Sequence, residues 1–141
     1  MNITKLYHLI FAVVLGLLLT TIVTFTWSAS VVLADNHPDG STINPTQTSD
    51  GVWGPGVITA SSNVVINAGV AITIAPNTTI VVDGNYGITV NGTLQSDGPV
   101  TFTGSSSTSG FWQGITYAAG SRGYLNQATI EYASHALILN T

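Results

Sequence analysis

The chain of 141 residues contains no cysteine, and its basic residues are limited to Lys5 and Arg122. Without cysteine there is no disulfide framework, thiolate metal site, thiol nucleophile or redox switch. Beyond Ala34 a single cation, Arg122, faces six acids (Asp35, Asp39, Asp50, Asp83, Asp97 and Glu131), a formal charge of −5. A nucleic-acid binder needs a basic stripe to neutralise phosphates, so that class is excluded, and anionic membrane surfaces are disfavoured for the same reason. Also missing beyond Ala34 is any run of apolar residues at helical spacing between helix caps, which makes this part all-β.

What is present changes along the chain. Lys5 precedes Leu9 to Phe25, seventeen residues without a charge, and small residues follow up to Val32-Leu33-Ala34. That order predicts a signal peptide over residues 1–34, cleaved after Ala34. The alternative is an uncleaved anchor crossing the membrane through residues 9–25. Either way the remainder is exported, which implies a secreted or cell-surface location. Asp35 to Asp50 is polar and turn-rich, with Pro38, Gly40 and Pro45, and reads as a flexible linker over 35–50.

From Gly51 onward, short apolar–Thr–apolar triplets alternate with Gly/Asn turns. They are Ile72-Thr73-Ile74, Ile88-Thr89-Val90, Val100-Thr101-Phe102 and Ile115-Thr116-Tyr117, with Ile130-Glu131-Tyr132 repeating the pattern around an acid. Period-two alternation marks a strand with one buried face. Strand centres fall near Val65, Thr73, Val81, Thr89, Thr101, Thr116, Thr129 and Ile138, with corners such as Asp83-Gly84-Asn85 and Asn91-Gly92 between them. Equivalent triplets at 64–66, 88–90, 115–117 and 137–139 are separated by 24, 27 and 22 residues. Repeats of this length belong to solenoids, in which each coil buries its apolar side only by stacking on its neighbours. An antiparallel sandwich is the competing architecture. The spacing favours a three-sided parallel β-helix (a β-solenoid) over residues 51–141, about four coils, preceded by the signal or anchor helix. Because Leu137-Ile138-Leu139 is an apolar run at the chain end, the helix is expected to be incomplete at its C-terminus.

The stretch Val70 to Asn91, followed by Gly92-Thr93-Leu94 and Pro99 to Thr103, resembles the opening coils of right-handed parallel β-helix regions in large exported bacterial surface proteins. Trp112-Gln113-Gly114-Ile115 resembles their W-x-G-I step, and Ala128 to Ala133 resembles their I-E-Y-A coil motif. The resemblance covers roughly Gly51 to Thr141. It implies a right-handed coil in which the motif residues pack turns and perform no chemistry.

Candidate chemistry is sparse. A glycosidase needs two carboxylates flanking one bond, but Asp83 and Asp97 each precede a glycine, the place of a turn residue. Glu131 and His135 lack the further ligands a metal requires, Arg122 stands alone, and His37 belongs to a turn. No catalytic, cofactor-binding or metal-ligating residue is assigned. An ice-binding array would repeat T-x-T in successive coils, and only Thr101-x-Thr103 conforms, so the triplet threonines read as an ordinary wet face. Asn77-Thr78-Thr79 and Asn91-Gly92-Thr93 match the N-glycosylation sequon. The expected role is a structural stalk or adhesin-like module, with extracellular carbohydrate or a surface protein as partner. The alternative is the N-terminal part of a polysaccharide lyase or hydrolase whose active site lies beyond residue 141.

Overall fold

The structure, a computed structural model, describes residues 34–140. The leader expected over residues 1–34 lies outside them apart from Ala34. Among the described residues there is no helix, and thirteen short strands follow one another. They are β1 (Thr46–Gln47), β2 (Gly51–Trp53), β3 (Gly56–Ala60), β4 (Val64–Ile66), β5 (Ala71–Ile74), β6 (Thr78–Val82) and β7 (Gly87–Val90). The rest are β8 (Thr93–Ser96), β9 (Val100–Gly104), β10 (Gly114–Tyr117), β11 (Arg122–Leu125), β12 (Ala128–Ile130) and β13 (Leu137–Leu139).

Every third strand is a neighbour. The first sheet has the order β1-β4-β7-β10-β13, the second β2-β5-β8-β11, and the third β3-β6-β9-β12. All pairings are parallel. The antiparallel sandwich is therefore set aside, and the described residues form an all-β stack of three parallel sheets, an arrangement compatible with a β-solenoid. In the first sheet Val64 pairs with Ile88, Ile88 with Ile115 and Ile115 with Leu137, the register that the triplet spacing predicts.

Alternation decides what each strand buries. In β5, β6 and β7 every second side chain points inward, and stacking places like on like. Ile58, Ile80 and Phe102 form one inward column of the third sheet, and Ile72 lies on Leu94 in the second. Fully burying an aliphatic side chain contributes about 1.5–3 kcal/mol. No single coil can do so, because its inward residues are covered only from above and below.

Two expectations are corrected. Residues 35–50 are not a flexible linker but the first turn of the stack. β1 pairs with β4, His37 bridges to Trp53 and Thr42 to Thr59, and Ile43, His37 and Gln47 are buried. The physical reason is that backbone ladders do not require apolar alternation, and the turn signals of this segment supply corners. The second correction concerns Ile130-Glu131-Tyr132, expected as a strand triplet. β12 ends at Ile130, Glu131 is an exposed corner residue, and Tyr132 has φ 61° and is partly exposed (38%).

The two motifs singled out by resemblance meet each other. Trp112 is fully buried and its indole Nε1–H donates to the Glu131 carbonyl at 2.7 Å, while Trp112 bridges to Ala133. Gly114, at φ 101°, leaves no room for a side chain, because a Cβ there would lie 1.6 Å from the His135 carbonyl oxygen.

Candidate functional site

Each of the six acids accepts a hydrogen bond that fastens one part of the coil to another. Asp35 Oδ2 accepts the backbone N–H groups of Thr48 (2.6 Å) and Ser49 (2.9 Å). Asp39 Oδ1 accepts that of Val57 at 2.7 Å, and Asp50 Oδ1 that of Ala71 at 2.8 Å. Asp83 accepts the Ser105 hydroxyl at 2.7 Å, Asp97 the Tyr124 hydroxyl at 2.5 Å, and Glu131 the Thr103 hydroxyl at 3.3 Å. Asn36 and Asn63 act in the same way on the N–H groups of Val52 and Gly87. Backbone N–H groups without a ladder partner, at corners and along the edge strands β2 and β3, are satisfied in this way by Asp35, Asn36, Asp39, Asp50 and Asn63.

The electrostatics agree. Burial alone would raise the Asp35 carboxyl, but the N–H donors of Ser49 and Thr48 outweigh it and hold the group below its ordinary value. Among the described residues no group of three or more His, Asp and Glu side chains comes together as a metal site. Arg122, which stands alone in the sequence, opens β11 and is exposed on it.

Sequence reasoning missed a polar cluster under the first turn. The His37 ring packs edge-on against Trp53, with centroids 6.2 Å apart at 69°, and its Nε2 lies 3.3 Å from Gln47 Oε1. Gln47 Nε2 in turn donates to the Asn44 carbonyl. The Trp53 indole nitrogen is buried without a hydrogen-bond partner. The only signal was the turn His37-Pro38-Asp39-Gly40, which says nothing about burial.

The outer face of the second sheet is chemically richer than the others. Thr73, Gln95 and Tyr124 stand in one column, with Gln95 Nε2 donating to Thr73 Oγ1 at 3.2 Å. Ala71, Thr93 and Arg122 form the parallel column beside it. Tyr124 is about half exposed (53%), and Asp97 holds its hydroxyl and raises its pKa above the ordinary phenol value. Along the corner between the first and second sheets lies a recess of about 240 Å³ lined by Gly69, Asn91, Gly92, Thr93, Gly120 and Arg122. It meets a second recess of about 460 Å³ at Gly69.

No family model matches the chain, and no curated protein or solved structure matches it either. What can be said of it rests on its own geometry.

Proposed function

We propose that the chain is an exported, right-handed parallel β-helix of the kind found in large bacterial surface proteins. It acts as a non-catalytic scaffold whose outer faces bind extracellular carbohydrate or protein. Right-handedness is the hand that parallel crossover connections within one sheet overwhelmingly take. The leader-like order of residues 1–34 supports export. The observation that carries the non-catalytic reading is the use of the acids: all six accept hydrogen bonds that fasten coils and corners. Asp35, Asp39 and Asp50 are held by backbone N–H groups and Asp83, Asp97 and Glu131 by side-chain hydroxyls, structural ties that account for each acid without a catalytic role.

The test begins by expressing the full chain with its leader in an exporting host and sequencing the N-terminus of the recovered product. The product is expected outside the cytoplasm, beginning at Asp35. It is then applied to an array of glycans and surface proteins, where retention without cleavage is expected. Cytoplasmic accumulation, or the release of cleaved sugars, would overturn the reading.

A further inference from the structure

We infer that the corner between the first and second sheets is an oligosaccharide cleft, its ligand a short neutral glycan laid along the stacking axis. This rests on the carbohydrate reading above and assigns it a place. The argument starts with shape. Successive coils turn this corner at Gly69, Gly92 and Gly120, so backbone lines a groove of about 240 Å³ where side chains would otherwise fill it. Gly92 is required by the fold, because a Cβ there would lie 2.2 Å from the Val70 carbonyl oxygen. Gly69 and Gly120 are different: a Cβ at either meets nothing within 4 Å, so they leave open space on the outside of the corner.

The groove carries the groups that recognise hydroxyls. Asn91 offers an amide, Thr93 a hydroxyl, and Arg122 a planar fork of donors. Among the described residues the Arg122 backbone N–H donates to the Gly92 carbonyl, while its guanidinium forms no ion pair or hydrogen bond, so those donors are available to a ligand. Two residues along the same strand face stands Tyr124, whose ring is exposed while its hydroxyl is fixed by Asp97. An aromatic ring held in one orientation by a hydrogen bond presents an apolar face at little entropic cost, the property wanted for stacking on a sugar ring. The fold has no need of an aromatic there, since the same column is occupied below by Gln95, Thr73 and Val52.

Charge selects among glycans. One arginine in a segment of formal charge −5 favours neutral sugars, whose vicinal hydroxyls fit the guanidinium fork, over polyuronates, which the acids repel. The outer face of the third sheet provides a comparison within the molecule. Its column Val57, Thr79, Thr101 and Thr129 offers methyl and hydroxyl groups with no cation or ring.

The experiment is calorimetric titration of the exported chain with neutral β-1,4-linked gluco-, manno- and xylo-oligosaccharides and, separately, with oligogalacturonate. At least one neutral series is expected to bind. Arg122→Gln and Tyr124→Ala are each expected to weaken it about tenfold or more. Gly120→Asn, which tolerates the left-handed backbone at φ 82° and projects into the groove, is expected to abolish it. Thr129→Ala on the third sheet is expected to change nothing. Tryptophan emission from Trp53 and Trp112 checks that each variant is folded. If Tyr124→Ala loosens the last turn, Arg122→Gln and Gly120→Asn still decide the matter. Neutral binding that survives both of these overturns the cleft and leaves the carbohydrate reading standing. Binding of oligogalacturonate alone overturns the ligand class assigned here. Absence of any glycan binding overturns both.

Discussion

The two ends of the stack invert what their sequences lead one to expect. Residues 35–50 are polar and contribute a strand of only two residues, yet Ile43, His37, Gln47 and Ser49 are buried. Asn36 and Asp39 reach across to the N–H groups of Val52 and Val57 and tie this turn to the next. The last turn is the reverse. β11, β12 and β13 are in full register, and Leu137-Ile138-Leu139 is as apolar as any triplet, but Leu137 is 45% and Leu139 66% exposed. The difference teaches that burial in a stack is decided by what covers an inward face, and among the described residues those of the last turn are covered from one side only. Local hydrophobicity decides only which face points inward.

The comparison can be broken most severely at Gly114, which seats the last turn. Gly114→Ala places a methyl group 1.6 Å from the His135 carbonyl oxygen and forces a side chain into φ 101°. Such a clash with backbone strain is expected to cost about 4 kcal/mol or more, seen as a lower urea midpoint and early hydrogen exchange from Leu137 to Leu139. Next in size is an inward residue with layers on both sides. Ile66 lies between Gln47 and Val90 in its column and is fully buried. Ile66→Ala is expected to cost about 2–5 kcal/mol in the same titration, the usual range for a cavity of this kind.

Some of these positions are legible in the sequence and some are not. The columns through Val64, Ile88, Ile115 and Leu137 follow from alternation and spacing, because period-two burial and a constant coil length are written directly in residue type. β8 and β11 were not anticipated: Thr93-Leu94-Gln95-Ser96 and Arg122-Gly123-Tyr124-Leu125 carry inward Ser96 and Gly123, which interrupt the apolar pattern. Ser96 is fully buried, and its hydroxyl accepts the Asn126 N–H at 2.9 Å, a tertiary bond that local sequence does not encode. The first turn escaped notice for the same reason, its ladder being built from backbone. Turn roles for Asp83 and Asp97 were legible from the glycines after them, but their hydroxyl partners Ser105 and Tyr124 lie a coil away. The corner groove was invisible because it is made by stacking glycines that are 23 and 28 positions apart in the chain.

Smaller effects come from pH, one at each end. Asp35 in the first turn has a lowered folded-state pKa, so its contribution is complete above the unfolded value of 3.8. It is lost as pH falls through the lower folded value. Asp35→Ala is expected to cost about 1 kcal/mol at pH 7, the worth of charge-assisted bonds close to solvent, and to flatten the acid limb of the stability profile. Near the other end, burial pushes the Tyr117 hydroxyl up to about 12, and that hydroxyl donates to the Leu94 carbonyl at 2.9 Å. A raised folded-state value gives stability that is present below pH 10 and lost as pH rises from 10 towards 12. Tyr117→Phe is expected to remove that alkaline dependence and to delete one late-ionising tyrosine from the ultraviolet titration, leaving Tyr124, which Asp97 also raises.

The smallest expected change is the sharpest test of the comparison. Leu139 stands in the same inward column as Ile66, Val90 and Tyr117, and sequence alone gives it the same role. If a layer on both sides is what makes an inward residue matter, Leu139→Ser changes stability by no more than about 0.5 kcal/mol, the range of surface substitutions. Val90→Ser, which buries a hydroxyl and removes apolar surface between Ile66 and Tyr117, then costs several times more. Parallel urea titrations of the two variants check this. Equal losses would mean that the last turn is held by its own apolar side chains, and the two ends of the stack would then follow one rule.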